Sequence, residues 1–97
     1  MVNVSIVLPA KNEAGAITRT VLQIKQLNIA DEIIVINDGS TDNTSQLAEQ
    51  AGAKVISHPY SKGNGAAIKT GARVAQGNVI VFMDADGQHD PQDIKLL

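Results

Sequence analysis

The chain has 97 residues, of which 43% are hydrophobic and 19% charged, a balance that suits one packed domain and excludes a disordered chain. A net charge of −2 without any basic cluster excludes a nucleic-acid binder, whose phosphate partner demands concentrated Lys and Arg. With no cysteine there is neither a disulfide nor a thiolate zinc site.

The first apolar run, VSIVL at 4–8, begins without the charged leader and apolar stretch of a signal peptide, so folding in the cytoplasm is expected. Behind it, Ile17, Val21, Ile24 and Leu27 recur at helical spacing, and Asn12 is placed to cap that helix. The second run, EIIVI at 32–36, precedes Ser40, Thr41 and Asp42, which supply caps for a short helix through Leu47, Ala48 and Ala51, closed by Gly52. A third run, AKVI at 53–56, leads to a helix carrying Ala67, Ile68, Ala72 and Ala75, closed by Gly77. The fourth, NVIVFM at 78–83, contains the longest apolar stretch, which has strand length and not membrane length. Three of these runs are almost continuous in β-branched residues, as strands are when helices cover both faces of a parallel sheet. The order βαβαβαβ predicts an α/β fold with a doubly wound, mostly parallel sheet and right-handed crossovers. Asp90 and Pro91 then open a further helix. The sequence stops about two turns into it, as expected for a piece of a longer chain.

In an open α/β sheet ligands bind beyond the carboxyl ends of the strands, and here the polar residues collect there. Asp84 and Asp86, two apart at a strand end, project to one side, and Gln88 adds an amide oxygen. Such hard oxygen ligands suit Mg²⁺ or Mn²⁺ completed by water and a ligand's phosphates. An EF-hand loop does not fit, because its sixth position is His89 and its twelfth Lys95. Asp38 follows a buried run. It either accepts hydrogen bonds from a base or ribose or caps the next helix, and the capping groups at Ser40, Thr41 and Asp42 leave it freer for a ligand. Lys62, with the glycines at 63 and 65, forms either a phosphate cradle at a helix start or a plain surface turn. It is neither a Walker A loop nor a Rossmann fingerprint, since Ile68 stands where Gly or Ala is needed. His58 reads as structural or solvated, and His89 as a bystander to the acidic pair.

Four segments together, VSIVLPAKNE at 4–13, IVINDGSTD at 34–42, KGNGAA at 62–67 and MDADGQHDP at 83–91, resemble in order and spacing the family 2 inverting glycosyltransferases. The branch most similar is that of the dolichyl-phosphate mannosyltransferases and polyprenyl-phosphate sugar transferases. The resemblance implies the GT-A type of Rossmann-like fold, with the whole of 1–97 as the nucleotide-sugar-binding part. It also implies a GDP- or UDP-sugar donor and a polyprenyl or dolichyl phosphate acceptor. On the matching positions it implies that Pro9, Lys11, Glu13, Ile36, Asp38, Lys62, Asp84, Ala85 and Asp86 contact the donor, and that Asp84, Asp86 and Gln88 hold the metal. The family often has an aromatic residue at the place of Lys11, and an acidic one at the place of Asn37. Two other classes are weighed. A sugar-nucleotide nucleotidyltransferase would show a glycine-rich loop with Arg and Lys after the first strand, where this chain offers only Gly15. A non-catalytic nucleotide-binding or interaction module would keep the fold alone. These 97 residues by themselves are expected to bind donor weakly without turnover. They are also expected to self-associate through uncovered apolar surface and a strand edge.

Overall fold

The computed structural model describes residues 3–85. Strand and helix alternate as β1 Val4–Ala10, α1 Ile17–Leu27, β2 Glu32–Asp38, α2 Thr44–Gln50, β3 Lys54–His58, α3 Asn64–Val74 and β4 Val79–Phe82. The strands form one parallel sheet in the order β3-β2-β1-β4, with Ile6 opposite Ile33 and Val81. The first three strands step in one direction and β4 lies on the far side of β1. The carboxyl end of β1 is therefore the topological switch point, where open α/β sheets bind their ligands.

Strand alternation sorts the apolar side chains onto two faces. Val4, Ile6 and Leu8 of β1 and Ile33 and Val35 of β2 pack with Ile17, Val21 and Ile24 of α1 and with Ala48 and Ala51 near α2. Val7, Ile34 and Ile36 point the other way and pack with Ala67 of α3. Since α3 both lies on the opposite face and runs in the opposite direction across the sheet, all three crossovers share one hand, as the chirality rule requires. Fully burying an Ile, Leu or Val is worth about 1.5–3 kcal/mol, so the face holding six such residues with no exposure (Ile6, Leu8, Ile17, Val21, Ile24 and Val35) carries more of the apolar stabilisation. The α3 face compensates by close approach. A Cβ on Gly71 would overlap Val7 Cγ1.

Hydrogen bonds close the amino edge of the sheet. Asp31 Oδ2 accepts from the amides of Asn3 at 3.0 Å and Val4 at 2.8 Å. Glu32 accepts from the Ser5 hydroxyl and from the Gln76 amide at 2.6 Å, while Ser5 Oγ accepts from the Gly77 amide at 2.8 Å. Burial alone would raise the Glu32 pKa, but the Ser5 hydroxyl, the Gln76 amide and the Lys54 charge hold it below its ordinary value. With that edge tied off, the open chemistry lies at the carboxyl edge.

Two expected caps are corrected by the structure. The helix after β1 starts at Ile17 with Ala16 as N-cap, so Asn12 does not cap it. The helix after β2 has Asn43 as N-cap, and Ser40 and Thr41 serve elsewhere. Asp42 does support its start, accepting from the Thr44 amide at 3.0 Å and from the Thr44 hydroxyl. The expected helix after Asp90 lies outside the described residues, and among those described no helix is long and apolar enough to cross a membrane.

Candidate functional site

Three chain segments meet at the carboxyl edge around a cavity of about 240 Å³, lined by Pro9, Ala10, Lys11, Asp38, Ser61, Gly63, Asn64 and Ala67. It lies below the ~300–1,000 Å³ usual for a whole small-molecule site, which leaves room for a nucleoside-sized part of a ligand.

The first wall is the end of β1 and its loop. Asn12 adopts a left-handed φ of 55°, a conformation that Asn enters more readily than most residues. Its Oδ1 accepts from the Thr41 amide at 2.8 Å and the Thr41 hydroxyl at 3.2 Å, and its own amide donates to Ser40 Oγ at 2.9 Å. Two further amides follow suit, Glu13 to Thr44 Oγ1 at 2.9 Å and Ala14 to Asp42 Oδ2 at 3.2 Å. Ser40, Thr41 and Asp42 thus fasten the β1–α1 loop to the β2–α2 loop. The Thr44 hydroxyl first, against the opposing effect of burial, and then the Ala14 and Thr44 amides lower the Asp42 pKa.

The second wall is the end of β2 with the β3–α3 loop. Asp38 is 5% exposed, on the α3 face of the sheet. Its Oδ1 accepts from His58 Nδ1 at 2.8 Å and the Lys62 amide at 2.8 Å, and its Oδ2 from the Ser61 hydroxyl at 3.1 Å and the Gly63 amide at 2.9 Å. Burial would raise its pKa, but those four donors outweigh it and hold the carboxylate well below its usual range. The sequence reading left this carboxylate freer for a ligand, and its donors arrive 20–25 residues later, from His58 at the end of β3 and from the 61–63 loop. Gly39, with φ of 70°, permits that approach, since a side chain there would strike the backbone of Tyr60 and Ser61. Gly63, with φ of 97°, turns the chain into α3.

Of the residues expected at the site, Pro9, Lys11 and Asp38 border the cavity. Ile36 and Ala85 do not face it. Both are core residues, Ile36 beside Val7 and Ile34, and Ala85 in the cluster around Ile6. Glu13 lies in the β1–α1 loop and is not among the lining residues, and Lys62 is exposed with Nζ 5.4 Å from the Tyr60 ring centre. Asp84 is exposed just beyond β4, at the switch-point side of the sheet. It places one carboxylate at that edge. Its expected companions Asp86 and Gln88 lie outside the described residues, and among those described no three His, Asp or Glu side chains gather to hold a metal. Sequence reasoning named none of Ala10, Ser61, Asn64 and Ala67 as a contact, although the last two lie in the 62–67 segment read as a phosphate cradle or a surface turn. Asn64 and Ala67 belong to the glycine-containing helix start, where a small residue beside a turn was the available signal.

The sequence model of glycosyl transferase family 2 matches residues 5–97. The chain is 38% identical, over 97% of its own length and 30% of the relative's, to the undecaprenyl-phosphate 4-deoxy-4-formamido-L-arabinose transferase of Pseudomonas fluorescens. Its fold matches mannosyl-3-phosphoglycerate synthase from Rubrobacter xylanophilus with a TM-score of 0.85 and 30% identity, covering 94% of this chain and 33% of that one. It also matches glucosyl-3-phosphoglycerate synthase from Mycobacterium tuberculosis, solved with Mn²⁺, UDP and glucosyl-3-phosphoglycerate, with a TM-score of 0.76 and 34% identity, covering 87% and 33%. The chain spans about a third of the length of these proteins.

Proposed function

Because the chain belongs to glycosyl transferase family 2, we propose that it forms the donor-binding part of a metal-dependent glycosyltransferase of the GT-A type. The observation that carries this reading is the cleft at the switch point, bounded by Pro9, Lys11, Ser61, Gly63 and Asn64. There the nucleoside of a UDP- or GDP-sugar lies against Pro9 and Ala67, with Lys11 and Asn64 at its polar edges. Lys62 and the first amides of α3 face the diphosphate. Asp84 with Asp86 and Gln88 would hold Mg²⁺ or Mn²⁺, their oxygens being of the hard type both ions take. Such an ion, when bound, offsets the charge that develops on the departing nucleoside diphosphate.

In the transfer itself an acceptor oxygen forms a bond to the anomeric carbon as the bond from that carbon to the diphosphate oxygen breaks, with inversion. The names of these relatives share a compound that carries phosphate, undecaprenyl phosphate in one and phosphoglycerate in the others. We take a polyprenyl phosphate as the acceptor here, which brings the reaction to the cytoplasmic face of a membrane. A phosphate is already anionic near neutral pH, so no residue of this chain needs to act as a strong base.

Isothermal titration of the chain with UDP and with GDP, each with and without Mn²⁺, tests the reading. Metal-dependent binding that Asp84→Ala weakens about tenfold or more supports it. Binding of neither nucleotide, or binding indifferent to both metal and Asp84→Ala, contradicts it.

A further inference from the structure

A carboxylate offers about four lone-pair directions, and Asp38 has all of them filled, two donors on each oxygen. It borders the cleft with both oxygens engaged from within the chain. One of its donors, His58, is the last residue of β3 and is itself 9% exposed. Its Nδ1 faces Asp38 at 2.8 Å, so Nδ1 carries the proton. Its Nε2 lies 2.9 Å from Thr70 Oγ1 on α3, a hydroxyl able to act as either donor or acceptor toward the ring. The imidazole therefore joins the ends of β2 and β3 to the body of α3. The other three donors to the same carboxylate are Ser61, Lys62 and Gly63, the loop that forms one wall of the cleft.

We propose that His58 is a positioning residue for the donor cleft, acting through Asp38 to hold the 61–63 loop in its binding shape. The inference rests on the donor-site reading for its ligand, though not for its geometry. Removing the His58 donor leaves Asp38 Oδ1 short of one partner in a buried place. The carboxylate then turns toward water or toward its remaining donors, and the Lys62 and Gly63 amides lose their fixed acceptor. Hydrogen bonds to a charged group are worth enough that loss of this one corresponds to about a tenfold loss of affinity.

Three variants of the chain, His58→Leu, His58→Asn and Thr70→Val, separate this from a merely structural part. Asn retains an N–H near the place of Nδ1. Two measurements are made on each, UDP or GDP affinity with Mn²⁺ by calorimetry, and amide hydrogen exchange at Lys62 and Gly63 by NMR. The expected result is faster exchange at Lys62 and Gly63 and about tenfold weaker binding in His58→Leu, with core amides of Ile6 and Ile34 still protected. His58→Asn restores most of both, and ¹⁵N shifts of the wild-type ring show the proton on Nδ1. Exchange at Lys62 and Gly63 unchanged in a folded His58→Leu overturns the proposal, as does His58→Asn behaving like His58→Leu. If His58→Leu fails to fold, Thr70→Val decides: it frees the ring on one side, and unchanged exchange and affinity there also overturn the proposal. Wild-type protein that binds no nucleotide removes the donor-site reading alone, because the exchange measurement still judges the loop.

Discussion

The Asp38 carboxylate remains ionised in a buried position because four donors replace the water it loses. Its pKa is lower folded than its ordinary value of 3.8, so the stability it contributes is present in full above that value. It is lost progressively as the pH falls below 3.8 toward the depressed folded value. Urea midpoints should therefore drop steeply below pH ~4, and Asp38→Asn should flatten that drop. At neutral pH the same variant should cost about 2 kcal/mol, since its amide group turns a donor toward donors. A wild-type curve that stays level down to pH ~2 would contradict the assignment. Little of this is legible in the sequence. The position of Asp38 after a β-branched run marks the strand end, but His58, Ser61 and the two amides that fill its oxygens arrive 20–25 residues later. For the same reason the spacing of Asn12, Ser40 and Thr41 suggests local caps when the bonds in fact run between two loops 28–29 residues apart.

At the scale of elements, the strands are legible because runs such as IVLP and IIVI carry almost no polar alternation, which only a doubly covered parallel strand tolerates. Sequence periodicity also finds the apolar stripe of α1, where Ile17, Val21 and Ile24 are all buried. It reads α3 less fully, because that helix packs through small residues whose meaning depends on what lies beneath. Gly71 sits against Val7 with no space for a Cβ, so Gly71→Ala should lose about 1–3 kcal/mol by overpacking, despite alanine's better helix propensity. Thermal denaturation checks the sign, and a stabilised variant would show that α3 can lift without cost. At the sheet's edge, β4 pairs only with β1 among the described strands, and its Val79 and Phe82 are 36% and 42% exposed. Exposed apolar edge strands invite pairing with another chain. Light scattering over a concentration series should show association that Phe82→Glu reduces, and a wild-type monomer at every concentration would count against it.

For the molecule as a whole, one consequence of chain direction sets the site. A βαβαβαβ order with helices on both faces must reverse somewhere, and here it reverses at β1, so the polar ends of β1, β2 and β4 share one edge. The amino edge, tied by Asp31, Ser5 and Glu32, has its polar groups occupied. That division was legible from where the polar residues fall along the chain. The shape of the cleft was not, because it depends on how closely α3 and the 61–63 loop approach β2. Entry of the nucleotide into this carboxyl-edge cleft is tested by NMR shift mapping of the ¹⁵N-labelled chain with UDP or GDP and Mg²⁺. The predicted outcome is perturbation centred on the amides of Lys11, Ser61, Gly63, Asn64 and Ala67. Perturbation centred instead on Asp31, Gln76 and Gly77 at the amino edge, or none at saturating nucleotide, would contradict entry at this cleft.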